Sequence, residues 1–348
     1  MQIRTLLLAA AFVAAGSGSF AVTSFAATYT KLNVPHAGAT DPTAINLPGS
    51  VTGNYTDRSG NPHGFLWTNG AYTTIDPPGS LVTQASALND AGVVTGFWLD
   101  SSFVGHGFAR AATGKLTSFD GSSGARATYG ISINKFGAIA GHYNDANHFV
   151  HAFIRKPGGQ ITSVDIPGAT ATYGAHINNN NAIGGSYTDS SSAYHAYIRA
   201  SDGTITTFDA PGAGTGQDQG TFGPSLNDKG VGTGGYLDSA NISHGYVRAA
   251  DGAITIFDVP GAGTGANQGT FPTGINRTSV TIGYFIDANN VSHGFIREAT
   301  GTIRTFNVPR AGTSAYQGIF AYAVNDDGVV TGTYIDGNNL THGFVRMP

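Results

Sequence analysis

Short apolar stretches alternate with polar, glycine-rich turns along almost the whole chain, and none keeps the three-to-four-residue spacing of an amphipathic helix. The stretches recur in sets of four. The first ends on a branched apolar residue followed by asparagine, and this landmark stands at Asn46, Asn89, Asn134, Asn178, Asn227, Asn276 and Asn325, in steps of 43, 45, 44, 49, 49 and 49 residues. The second stretch reads like Val329-Val330-Thr331-Gly332-Thr333-Tyr334-Ile335-Asp336, the third opens on His-Gly-Phe, and the fourth reads like Ile254-Thr255-Ile256-Phe257-Asp258-Val259-Pro260. Four strands at a period in the forties predict the blade of a β-propeller.

The chain ends refine that expectation. A copy of the fourth stretch, Tyr29 to Pro35, precedes the first landmark, whereas the last repeat stops after its third stretch at Arg346. The predicted fold is therefore all-β: a seven-bladed β-propeller of four-stranded antiparallel blades, closed by the N-terminal strand joining the last blade, which leaves no open sheet edge at the seam.

Landmark asparagines followed by Asp and Gly, as in Asn89-Asp90-Ala91-Gly92, read as turn-makers, because Asx side chains bond their own backbone. The second strand carries an aromatic column, Tyr55, Trp98, Tyr143, Tyr187, Tyr236, Phe285 and Tyr334, expected to pack between blades. The residue before it varies (Asn54, Phe97, His142, Ser186, Gly235, Tyr284, Thr333), and that variation reads as a weakly constrained position. Between strands two and three an acid always precedes a histidine by six residues: Asp57 and His63, Asp100 and His106, Asp145 and His151, Asp189 and His195, Asp238 and His244, Asp287 and His293, Asp336 and His342. A carboxylate accepting an imidazole N–H would staple each turn. Asp57-Arg58-Ser59-Gly60-Asn61 also keeps calcium open as the alternative, but one acid per loop supplies few anionic ligands, so no cofactor and no metal site is expected.

Composition narrows the class of protein. The 51 glycines and 11% charged residues suit many tight turns, and the absence of cysteine excludes a disulfide framework and a thiol nucleophile. With a net charge of −4 and no Lys/Arg cluster, neither nucleic acid nor an anionic membrane is an expected partner. Arg4, the apolar run from Leu6 to Ala15 and the small residues of Ser24-Phe25-Ala26 read as an export signal over 1–26, leaving a single repeat domain over 27–348. The expected location is secreted, periplasmic or cell-surface, without membrane insertion after signal removal, and the expected state is monomeric.

In a blade of antiparallel strands, the Asp/His turns and the crossovers between repeats open on one face. Those crossovers lengthen in the last three repeats (Pro211 to Phe222, Pro260 to Phe271, Pro309 to Phe320), so sites are expected there. Five residues before the landmark stand Tyr129, Tyr173, Phe222, Phe271 and Phe320, read either as wedges between blades or as a platform for sugar rings. With Arg126 and His176 they form the candidate ligand-binding set; His142 and His148 are the other histidines outside the repeated column in repeats three and four.

The combination of Ile-Asn-x-x-Gly, Gly-x-Tyr-x-Asp and His-Gly/Ala-Phe, with His151-Ala152-Phe153 as the Ala form, resembles the extracellular HAF-repeat family of bacterial proteins over residues 29–347. The resemblance implies export and a propeller-like repeat fold, and carries over no catalytic residue. Nearly every chemically capable side chain is repeated sevenfold, as a frame requires, so the expected function is a non-enzymatic binding or scaffold module, glycan-binding through its loop-rich face and partnered by a glycan or cell-surface polymer. Two alternatives stand beside it. One is a propeller hydrolase or lyase acting on polysaccharide, with Asp41 and Asp218 as unique acids; the other is a structural surface or matrix protein lacking a concave pocket.

Overall fold

The computed structural model describes residues 27–348, and the expected export segment lies outside the described residues. Alternation of β-branched and small residues between Gly/Asx turns gives 29 strands, with no helix among the described residues, and so none long enough to cross a membrane. Within each repeat the strands pair in antiparallel sequence order. In repeat one, Ala39–Ile45, Val51–Thr56, Pro62–Thr68 and Ala71–Ile75 form one such four-stranded sheet. Repeats two and three form separate four-stranded sheets as well. Later repeats repeat the pattern but are tied into a longer run by one-residue parallel bridges, Tyr194 to Gly220, Ser243 to Gly269 and Ser292 to Gly318. Each bridge begins where a lengthened crossover returns to its strand.

The early strand Thr28–Leu32 pairs antiparallel with Thr341–Met347, setting Tyr29 opposite Arg346 and Leu32 opposite Gly343. It is the fourth strand that the last repeat lacks. Leu32 and Val34 then pack with Val345 on one side and with Ile45, Val51 and Phe65 of repeat one on the other. This placement is general: apolar clusters sit between adjacent repeats, as where Ile75 meets Ala85, Leu88, Val94 and Phe108. The aromatic of each His-Gly/Ala-Phe/Tyr segment anchors them; Phe65, Phe108, Phe153, Tyr197, Tyr246, Phe295 and Phe344 are all fully buried.

The repeated glycine of Gly-x-Tyr has a steric cause. Strand one carries a bulge after its fourth residue before the landmark, for example between Pro272 and Gly274, and this presses the preceding carbonyl against strand two. A Cβ on Gly283 would run into the Phe271 carbonyl oxygen, and one on Gly141 into that of Tyr129. In repeat five Gly223 and Pro224 interrupt strand one, leaving only Gly220–Thr221 and Ser225–Leu226.

The landmark asparagines hold two kinds of bond. Each Oδ1 accepts backbone N–H groups of its own turn, such as Ser50 N at 2.8 Å from Asn46 and Val93 N at 2.9 Å from Asn89. Each Nδ2 donates to the backbone oxygen of the next landmark, from Asn46 to Asn89, Asn134, Asn178, Asn227, Asn276 and Asn325, at 3.0–3.2 Å. Asn325 then donates to the Asn46 oxygen at 3.0 Å, and the circuit returns to its start. The turn-making role is present, but the same side chain also links one repeat to the next.

Candidate functional site

The acid–histidine pairs are brought together in every repeat. Asp57 caps its turn through Oδ1, accepting the N–H groups of Ser59 and Asn61, and its Oδ2 lies 3.4 Å from His63 Nε2. The other six pairs lie at 3.1–3.7 Å. The sequence reading missed a second partner: Nδ1 of each ring faces the residue just after strand four, namely Asp76, Asp120, Asp165, Asp209 and Asp258, then Asn307 and Asn33. The Asp recurring two residues before proline in Phe257-Asp258-Val259-Pro260 was the available signal.

The aromatic column stacks on these imidazoles within its own repeat, as Tyr55 does on His63 with centroids 4.9 Å apart, instead of serving only as packing between repeats. Hydrogen bonds from Asn61, with Ser59 and His63, hold Asp57 down to about 2, and bonds from Ser191 and Ala193 do the same for Asp189. For His63 and His195 burial works downward, yet their flanking carboxylates outweigh it and raise both imidazoles above their ordinary range. This is a structural staple on the outer part of each repeat, and five of the seven hold two carboxylates.

The position before the aromatic column is not weakly constrained, contrary to the sequence reading. It reaches the next repeat. Asn54 Oδ1 accepts Ala85 N at 2.7 Å, Ser186 Oγ accepts Gly223 N at 2.7 Å, and His142 Nδ1 lies 3.4 Å from the Gly174 oxygen. Phe97 packs on Tyr129 and Tyr284 on Phe320, at centroid distances of 4.8 and 5.0 Å. The residue varies because each repeat closes the same cleft by different chemistry. Between repeats five and six both halves of the latch are gone: Gly235 has no side chain, and Pro272 opposite it has no N–H.

There a cavity of about 490 Å³ opens, within the size range of small-molecule sites. Phe222, Phe271 and Tyr284 supply aromatic walls, with Phe271 and Tyr284 stacked at 4.9 Å. His176 and Ser225 line it as well, as does Asn267 of the long crossover. No charged side chain lines it. Burial pulls His176 down to about 4, although the residue as a whole is only half-buried, so it is neutral at physiological pH. Burial, and secondarily the Tyr322 phenol, push Tyr284 up to about 12. Both of these lining residues are thus neutral at physiological pH.

Of the expected ligand set, the structure brings Phe222, Phe271 and His176 to this cavity. Tyr129 and Tyr173 instead sandwich His142, and Phe320 closes on Tyr284, so these three serve as wedges between repeats. Arg126 is exposed and donates from Nε to the Ala146 oxygen, away from the cavity. His148 occupies a turn with φ of 70°, exposed to solvent. Tyr284 and Gly235 were overlooked, since only the missing latch marks them.

A second hollow of about 280 Å³ lies among the asparagine turns on the opposite side, lined by residues of all seven repeats. Its carboxylates are engaged by the frame. Asp90 accepts Leu47 N, Asp228 accepts both nitrogens of Asn179, and Asp326 accepts Arg277 N, so they are poor candidates for binding a solute. No cluster of three or more metal-ligating side chains suited to an ion occurs among the described residues.

The chain matches no protein-family model and no curated protein. It is similar to solved structures over most of its length. Streptogramin B lyase superposes with a TM-score of 0.58 at 15% identity, over 92% of this chain and 97% of that one. The BP39L lectin of Burkholderia pseudomallei gives 0.53 at 9%, over 90% and 100%. A puromycin-hydrolyzing peptidase of Mycobacterium tuberculosis gives 0.54 at 11%, over 90% of this chain and 55% of that one. At such identities the likeness establishes the architecture alone, a β-propeller built of four-stranded antiparallel blades.

Proposed function

We propose that the seven repeats are seven blades of a closed, exported, monomeric propeller of the HAF-repeat type that acts as a non-enzymatic binding module. Its ligand is a neutral glycan, taken into the cavity beside the long crossovers. Ring closure is supported by the pairing of Thr28–Leu32 with Thr341–Met347 and by the asparagine circuit returning to Asn46. The observation that carries the binding role is the uncharged hollow lined by Phe222, Phe271, Tyr284 and a neutral His176. Aromatic faces hold the C–H surface of a sugar ring, while neutral donors meet its hydroxyls without favouring an acid or a cation. A lectin among the fold's neighbours makes carbohydrate the first class to test.

The hydrolase or lyase alternative called for acids converging on a pocket. Neither Asp41 nor Asp218 lines this one; Asp41 is half-buried on an inner strand, with its carboxyl raised by burial, and Asp218 is exposed on a crossover. A purely structural matrix protein has no use for a concave, polar-tipped hollow. The test is a glycan array probed with residues 27–348, with and without calcium. Calcium-independent binding to neutral glycans is expected. Binding only to charged glycans, or none at all, refutes the reading.

A further inference from the structure

We infer that Gly235 is the specificity-determining residue of this protein, leaving one of seven equivalent clefts open so that each chain takes a single neutral sugar unit; the inference rests on the glycan-binding reading above. Six repeats carry a side chain at this position: Asn54, Phe97, His142, Ser186, Tyr284 and Thr333. Two of them latch to a backbone N–H of the next repeat, one approaches a carbonyl, and two pack rings against the next repeat's aromatic. Thr333 is buried and turns its hydroxyl to Tyr322. Gly235 does none of these.

A substituent on Gly235 would point into the open cleft. Its nearest neighbours would be the His244 oxygen at 3.4 Å and Pro272 Cδ at 3.7 Å, ordinary contact distances, and its φ is not one that demands glycine. Glycine is therefore not required by the backbone, unlike Gly283 a few residues from the same cavity. Repeat two shows what a ring does here, since Phe97 lies against Tyr129, the counterpart of Phe271. Phenylalanine at 235 would occupy the space between Phe222 and Phe271 and close the cleft.

Wild type and Gly235→Phe are titrated calorimetrically with the methyl glycosides of glucose, galactose, mannose and N-acetylglucosamine, and with the neutral glycan giving the strongest array signal. Wild type is expected to bind with one site per chain, and Phe weakens binding at least about tenfold. If the Phe variant melts well below wild type, Phe271→Leu takes its place, removing a wall without filling the cleft, and the same loss is expected. Undiminished binding in these variants, or several sites per chain, overturns the role of Gly235 while leaving glycan binding in place elsewhere. A wild-type chain that binds no glycoside and no array glycan overturns the glycan reading itself, and this inference with it.

Discussion

The asparagine circuit separates two roles of one side chain, and Asn325 is where they are best tested. Its Nδ2 donates to the Asn46 oxygen at 3.0 Å, joining the last repeat to the first, while its Oδ1 accepts Asp327 N at 3.1 Å and Val329 N at 3.0 Å. The residue is 6% exposed, so water replaces little of what is lost. Asn325→Ala removes three hydrogen bonds at about 1 kcal/mol each, and the loss is expected at roughly 3 kcal/mol. Asn325→Asp keeps both turn bonds but puts a carboxylate oxygen against the Asn46 carbonyl. If the link between repeats matters, Asp destabilises at least as much as Ala; if only the turn matters, Asp resembles wild type. Urea unfolding followed by the fluorescence of Trp67 and Trp98 gives the free energies, with a companion melting shift of roughly 2 °C per kcal/mol for a domain of this size. An Asp variant within about 0.5 kcal/mol of wild type refutes the linking role, since that is the spread of surface changes.

Stability should peak near pH 6.5. Below that, His176 and His142, whose burial lowers their folded-state values, are protonated more readily in the unfolded chain, so stability falls as pH drops from 6.5 toward about 4. The seven turn acids, all lowered and Asp57 and Asp189 to about 2, add a steeper acid limb below 3.8, against a single opposing group in Asp41. Above 6.5 the raised His63 and His195 lose their protons and with them their carboxylate partners, so stability declines again. Melting curves from pH 2 to 8 check this; His63→Gln with His195→Gln should flatten the alkaline limb, and an unchanged alkaline limb speaks against the staple. Gly283→Ala should cost more than about 3 kcal/mol by forcing strand two off the Phe271 carbonyl, whereas Gly235→Ala should be near neutral. Equal effects in chemical denaturation would show the bulge to be more yielding than its geometry implies.

Much of the site was hidden in the sequence for a definable reason. The Asp/His pairs were legible because both partners lie on one hairpin, six residues apart. The second acid, Asp76 or Asp258, sits one strand further on, and its approach to Nδ1 depends on the pairing of strands three and four. Tyr129 and Phe271 occupy the same place in the repeat, yet one is a wedge and the other a cavity wall. What distinguishes them is the residue facing each from the previous repeat, Phe97 or Gly235.

The amino acids alone determined the strand type, the period and the strand displaced to the amino end, because alternation, turn chemistry and copy number are local or countable along the chain. The tertiary structure decided which positions meet across repeats: the circuit of asparagines, the latches between neighbours, and the one cleft where a glycine faces a proline. Such contacts join residues some thirty-one to two hundred and seventy-nine positions apart, and their distances are set by how twisted sheets pack side by side, a property no single stretch of chain contains.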